Sequence, residues 1–195
     1  MCIRDRTTAA RAYRLAYEYN LAGGLKKLVY PSGRQVTYSF DQAGRASAVG
    51  GYATGIQYAP HGAVSQMTLG NGVVESAGYN IRLQPVAIAA VKDAATLLSL
   101  TNSYGTANNN GNVQSQAIQP LGVTQAYGYD GLNRLESVIE GSLSRAYGYD
   151  RYGNGWVAAN AGLPLSNLTP IAQSWFNPAT NRMVGVGYDH SGNQT

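Results

Sequence analysis

Apolar and polar side chains alternate along most of this chain with a period of two. Tyr13, Leu15, Tyr17 and Tyr19 are interleaved with Arg14, Ala16 and Glu18. That alternation predicts a strand, because every second side chain of a strand shares a face. The alanine-rich stretch 9–12 taken alone would also fit a helix. A turn is expected at Asn20-Leu21-Ala22-Gly23, followed by a returning strand over 25–30. Pro31-Ser32-Gly33 predicts the next turn, since proline pre-sets φ for the first corner and glycine accepts positive φ. Residues 35–40 form a strand with Val36, Tyr38 and Phe40 on one face, and Asp41-Gln42-Ala43-Gly44 turns the chain again.

The same alternation continues. Ile56 and Tyr58 lead into Ala59-Pro60-His61-Gly62, and Gly70-Asn71-Gly72 is a hairpin signal between two apolar runs. Asn80-Ile81-Arg82-Leu83 is the most degenerate turn. Strands over 86–91 and 96–101 flank Lys92-Asp93-Ala94-Ala95; the alanines admit a short helix there, but two strands fit the pattern better. Residues 104–111 read as a loop, 113–118 as a strand and 120–122 as a turn. Tyr127-Gly128-Tyr129-Asp130 and Tyr147-Gly148-Tyr149-Asp150 each close a strand and open a turn. Residues 156–168 look irregular. Thr169-Pro170 suits the start of a short helix through Trp175, where proline fits the first helical position. Further turns are expected at 177–180 and 189–192.

These turns are in phase. The aromatic before each is Tyr19, Phe40, Tyr58, Tyr79, Tyr104, Tyr129, Tyr149 and Tyr188, at steps of 21, 18, 21, 25, 25, 20 and 39 residues. Four positions later stand Gly23, Gly44, Gly62, Leu83, Asn108, Asn133, Gly153 and Gly192. Seven of these eight are Gly or Asn, the residues that most readily adopt positive φ. Asp or Asn follows the aromatic in six of the eight, among them Asp41, Asp130, Asp150 and Asp189. A period near 20 predicts stacked supersecondary units sharing one core. The fold class read from this is all-β, a repeat array of antiparallel β-hairpins.

The unit at 127–135, Tyr-Gly-Tyr-Asp-Gly-Leu-Asn-Arg-Leu, resembles the YD repeat of the RHS (rearrangement hot spot) proteins, a repeat also found in insecticidal toxin-complex shells and teneurins. Tyr38-Ser39-Phe40-Asp41-Gln42-Ala43-Gly44-Arg45 fits it well, and 109–113 and 177–183 resemble RHS segments between repeats. The resemblance covers residues 11–195. It implies a curved, spiralling sheet, a segment of a hollow shell that encapsulates and helps deliver a C-terminal toxin or effector domain. The implied partners are neighbouring YD repeats and the encapsulated toxin domain of the same full-length protein, secreted or at the cell surface. The residues 1–8 are read as a non-native or disordered start, and 9–195 as the repeat array, a fragment truncated at both ends. An alternative is a cell-surface adhesion or carbohydrate-binding repeat module.

Composition sharpens this reading. Only 12% of residues are charged, while Gly numbers 24 and Tyr 15 against 2 Phe. Tyrosine favours a half-buried pleated surface and keeps a polar tip. The net charge of +4 is spread singly apart from Lys26-Lys27, which argues against nucleic acid. No apolar run reaches the roughly 18 residues of a membrane span. One cysteine, Cys2, excludes an internal disulfide. No catalytic, metal or cofactor site is expected. The four aspartates occupy one turn slot about 20 residues apart, His61 and His190 lack a second ligand at metal spacing, and the Gly-Gly pairs lack a phosphate-loop lysine. The residues singled out are therefore structural: Tyr19, Tyr38, Phe40, Asp41, Gly44, Tyr58, Tyr127, Tyr129, Asp130, Asn133, Tyr147, Tyr149, Asp150, Gly153, Tyr188, Asp189 and Gly192. Their rings are expected to stack between hairpins, with the hydroxyls reaching the rim.

Overall fold

The computed structural model describes residues 2–8, 11–107 and 109–195. The chain divides into two compact units, residues 1–101 and 102–195. The first carries β1 (Cys2–Thr8), β2 (Arg11–Tyr19), β3 (Leu25–Val29), β4 (Gln35–Phe40), β5 (Ala46–Val49), β6 (Ala53–Tyr58), β7 (Val64–Leu69), β8 (Val74–Tyr79), β9 (Pro85–Lys92) and β10 (Ala95–Ser103), whose last two residues belong to the second unit. Each strand pairs antiparallel with the next in sequence. The second unit holds β11 (Ser115–Gln119), β12 (Val123–Tyr129), β13 (Leu135–Glu140), β14 (Leu143–Tyr149) and β15 (Gly155–Ala161), again paired in chain order. Residues 2–8, expected as a disordered or non-native start, thus lie along β2 as β1. Asn108 and Ala9-Ala10, on which two of the expectations bear, lie outside the described residues.

Pairing in chain order sorts the turns. In the first unit those after β2, β4, β6 and β8 fall on one edge of the sheet, and these are the aromatic-Asx turns. Those after β3, β5, β7 and β9 fall on the opposite edge. In the second unit the turns after β12 and β14 share an edge in the same way. The strand register slips by one residue at the aromatic, between Glu18 and Tyr19, Ser39 and Phe40, Gln57 and Tyr58, Gly78 and Tyr79, and Gly128 and Tyr129. Such a bulge is what a three-residue loop ending in a left-handed residue imposes.

Deep burial is sparse. Val36, Ala53 and Val73 in the first unit and Tyr104 and Val157 in the second are the buried apolar residues among those described. Most other strand positions are half-buried. The expected continuous core is therefore thin, and cross-strand contacts carry the sheet. Gly148 illustrates how: the Trp156 ring of β15 lies 2.6 Å from where a Cβ would stand, so the glycine admits the indole against the backbone.

Two expectations are corrected. Residues 156–168, read as irregular, begin with β15, because Gly155–Ala161 finds a partner along β14. The helix expected through Trp175 is a single 3-10 turn, Gln173–Trp175. Its N-cap is Ala172, and the Pro170 carbonyl instead accepts the Val157 N–H at 2.9 Å, which holds that stretch extended. At 92–95 the two-strand reading holds: Asp93 and Ala94, with φ of 49° and 65°, form the turn joining β9 to β10. Two positive φ values in a two-residue loop match the twist of antiparallel strands.

Candidate functional site

The aromatic-Asx edge is where the chain repeats itself most faithfully. At Asp130 the backbone N–H bonds the Arg134 carbonyl at 2.9 Å, and the Asn133 N–H returns to the Asp130 carbonyl at 2.9 Å. Asn133 sits at φ 62°. This is a type I turn closed by a left-handed residue. The same pair of bonds forms at Asn20, Asp41, Ala59, Asn80, Asp150 and Asp189. Gly23, Gly44, Gly62, Gly153 and Gly192 take the positive-φ slot, and Leu83 takes it at 64°. Tyr30 and Leu69 make the identical loop on the opposite edge, with Gly33 and Gly72 in that slot.

The Asx side chain fastens each loop from inside. The Asp130 Oδ1 accepts the N–H groups of Leu132 and Arg134, both at 2.9 Å. Asn20, Asp41, Asn80, Asp150 and Asp189 bond the equivalent pair. The second oxygen reaches the side chain four residues on: Asp41 to Arg45 Nε at 2.8 Å, Asp130 to Arg134 Nε at 2.7 Å, Asp150 to Asn154 Nδ2 at 2.7 Å and Asp189 to Asn193 Nδ2 at 2.9 Å.

These bonds favour the ionised acids. The Arg45 and Arg134 N–H groups are the chief reason Asp41 and Asp130 fall below the usual carboxylate range. The Asn193 amide does so at Asp189. At Asp150 partial desolvation is the largest influence and pushes upward, but the bonds from Asn154, Tyr152 and Gly153 outweigh it and the net shift is down. An acid held ionised in this way, with its oxygens already occupied, is a turn fastener and a poor proton donor.

The aromatics tie one copy to the preceding one. Tyr149 donates its hydroxyl to the Leu135 carbonyl at 2.7 Å, Tyr58 to Ala46 at 2.7 Å, Tyr129 to Val113 at 2.7 Å and Tyr79 to Val64 at 3.0 Å. In three of these the acceptor is the residue six positions beyond the preceding aromatic: Ala46 after Phe40, Val64 after Tyr58, Leu135 after Tyr129. The arginine that pairs with the turn aspartate also lies on the next ring. The Arg45 guanidinium is 4.5 Å from the Tyr58 centroid, and that of Arg134 is 4.4 Å from Tyr149. Arg134 Nη1 further reaches the Asp150 carbonyl at 3.3 Å. One guanidinium thus touches its own turn, the next ring and the next turn. A planar cation with several donors suits that bridging role.

Copies without the arginine fill the space otherwise. Gly24 lets the Phe40 ring approach to 3.1 Å of its would-be Cβ. Ala63 stands where Arg45 and Arg134 would, and His61 packs edge-on against Tyr79 at 4.6 Å. Asn154 Nδ2 crosses to the side chain of left-handed Asn181 at 2.6 Å. Tyr188 carries Arg182 at 4.8 Å and accepts the Met183 N–H at 3.0 Å.

Not every singled-out residue joins this scheme. Tyr19 is about half exposed and stacks on Tyr17, with centroids 6.4 Å apart. Tyr127 donates to Gln125 Oε1 at 2.6 Å. Tyr38 and Tyr147 share a strand face with Phe40 and Tyr149, but lie opposite Val49 and Val157 and make no inter-copy bond among the described residues. The hydroxyls expected at the rim turn back to carbonyls in four copies, because a half-buried phenol needs a partner. Tyr104 is buried, and its segment forms a different loop, with the Gln114 N–H on the Ser103 carbonyl at 2.7 Å. Arg45 and Arg134 are the residues that sequence reasoning left without a role. Their signal was present, an arginine four residues after the turn aspartate and before a strand.

No family model matches the chain, and no curated protein matches it in sequence. Solved structures do match. A crystal structure of TcdB2-TccC3 aligns over 76% of this chain and 9% of its own, at 19% identity and a TM-score of 0.66. TcdB2-TccC3 without its hypervariable C-terminal region aligns over 96% of this chain and 12% of its own, at 18% identity and a TM-score of 0.66. The Tc holotoxin pore of Photorhabdus luminescens, with a mutation in TccC3, aligns over 94% and 12%, at 18% identity and a TM-score of 0.65. The chain spans about a tenth of the length of those chains. The fold it shares with them is the all-β array of sequential antiparallel hairpins that the phased units implied.

Proposed function

We propose that this chain is a segment of wall in an RHS-type shell that encloses a C-terminal toxin or effector domain and helps deliver it, the whole polypeptide being secreted or displayed at the cell surface. The observation that carries this reading is the tie between copies. The copies at Tyr58, Tyr79, Tyr129 and Tyr149 each give a hydroxyl to a backbone carbonyl of the copy before, so the same tie recurs along the array. Repeat proteins gain stability from such nearest-neighbour interfaces. The aspartates that might suggest acid chemistry are occupied by their own loops, which favours a wall without catalysis. The chain's partners in this reading are the flanking repeats and the enclosed domain of the same polypeptide.

The test is protease protection in the full-length polypeptide that contains this segment. The C-terminal domain should resist limited proteolysis, and should become cleavable when Tyr58 and Tyr149 are both changed to alanine or residues 11–195 are deleted. A C-terminal domain equally protected without the segment, or a gene encoding no such domain, would refute the proposal.

A further inference from the structure

We infer that the first unit carries a binding groove for a linear aliphatic ammonium, a small amphiphile whose chain lies along β8 and whose cationic head meets Glu75. Register sets two rows of side chains on one face of β7 to β10. One row runs Met67, Glu75, Ala90 and Leu98, and the next has Ala77 opposite Ile88. Between the rows is a cavity of about 270 Å3. Met67, Ile88 and Leu98 wall it, and the small side chains of Ala77 and Ala90 give it depth. A second cavity of about 550 Å3 adjoins it through Ser65 and Ala77, lined by the Tyr58 and Tyr79 rings, Pro60, His61 and Leu83. Together they reach the size of small-ligand sites, which are mostly apolar with few polar groups. The path from Glu75 to Tyr79 follows β8 for about 13 Å at the usual strand rise.

Charge selects the head. Glu75 is the one carboxylate lining either cavity, and no lysine or arginine lines them. It is half-buried and makes no ion pair or hydrogen bond among the described residues. Lys92 lies two residues beyond Ala90, but its stem turns to the loop, with Cε 3.8 Å from where a Cβ on Gly72 would stand. A half-buried carboxylate without a counter-ion favours a cation and repels a fatty acid. Hydrogen bonding selects the chain. Tyr58 and Tyr79 donate their hydroxyls to the Ala46 and Val64 carbonyls, so the rings offer only faces. Asn80 Oδ1 accepts the Arg82 and Gln84 N–H groups, and its Nδ2 donates to Gln84 Oε1. The backbone on the groove floor is committed to the ladders between strands. A peptide laid here would leave its own amides without partners, whereas a methylene chain asks for none. His61, edge-on to Tyr79 at 4.6 Å, stands at the far end.

The test is calorimetric titration of the 195-residue chain with decylammonium, decanoate, butylammonium and the peptide acetyl-Leu-Lys-Leu-amide, each below any micelle concentration. Decylammonium should saturate. Decanoate, which has the wrong charge, and butylammonium, which lacks the chain, should each bind more weakly by on the order of tenfold or more. Glu75→Gln, which removes no protein ion pair, should weaken decylammonium by about tenfold and close most of its lead over decanoate. Ala77→Leu, which fills the junction of the two cavities, should weaken it by a similar factor. Leu132→Ala, at an exposed turn of the other unit, should leave binding unchanged. No saturation by decylammonium, decanoate binding as tightly, the peptide binding more tightly, or full affinity in Glu75→Gln or Ala77→Leu with an unchanged far-UV spectrum would each overturn the inference. None of these results bears on the shell-wall reading, which rests on the ties between copies.

Discussion

Tyr147 and Tyr149 share a strand, a face and a repeat, yet their hydroxyls have different fates, and that difference is measurable. Tyr149 donates to the Leu135 carbonyl of the preceding copy at 2.7 Å. The Tyr147 hydroxyl makes no hydrogen bond among the described residues. Tyr149→Phe keeps the ring and its contact with the Arg134 guanidinium at 4.4 Å, so it isolates the hydroxyl. One such bond contributes about 1 kcal/mol net. With a urea slope of about 1–3 kcal/mol/M, the midpoint should fall by about 0.3–1 M with an unchanged slope. Tyr147→Phe should stay within about 0.5 kcal/mol of the parent. Equilibrium urea denaturation followed by circular dichroism reads both. Equal effects from the two substitutions, or a neutral Tyr149→Phe, would show that the hydroxyl tie does not hold successive copies together.

Other outcomes follow from the same geometry. A double-mutant cycle of Arg134→Gln with Tyr149→Leu should give a coupling of about 0.5–1 kcal/mol, and zero coupling would remove the guanidinium bridge from the account. Gly44→Ala should destabilise by about 1–2 kcal/mol although nothing lies within 4 Å of the new Cβ, since the cost is the positive φ of 78° alone; a neutral result in denaturation would mean the loop relaxes. Asp41, Asp130, Asp150 and Asp189 all titrate below the usual carboxylate range when folded. The unfolded chain therefore binds more protons, so stability is full above about pH 4 and is lost as pH falls through the lower folded values. Asp150→Asn preserves the loop acceptor, as Asn20 and Asn80 do, and should flatten part of the midpoint-against-pH curve between about pH 5 and 2. An unaltered acid slope would exclude Asp150 from that linkage.

The repeat was legible because its cause is local. A bond from an Asx side chain to the backbone two and four residues on, and a residue able to hold positive φ, are decided within five positions. So Asp130 and Asn133, or Asp41 and Gly44, announce their turn in any context. Leu83 was the doubtful copy, and it adopts the same φ because its neighbours Asn80 and Gln84 still make the loop bonds. Reading failed where the partner was distant. β15 looked irregular because its order comes from β14 and from Trp156 packing on Gly148. The helix expected at Thr169 gave way because the Pro170 carbonyl is taken by Val157.

By itself, the sequence determined the all-β class, the hairpin period and the residue at each corner, since period-two alternation and turn chemistry act over a few bonds. Only the tertiary structure decided which tyrosine hydroxyls tie copies together, and that Arg45 and Arg134 each serve their own turn and the next ring. Those facts depend on the register between strands, which brings together groups 12 to 16 residues apart. A period of two says which face a side chain occupies, and register alone says what it meets there.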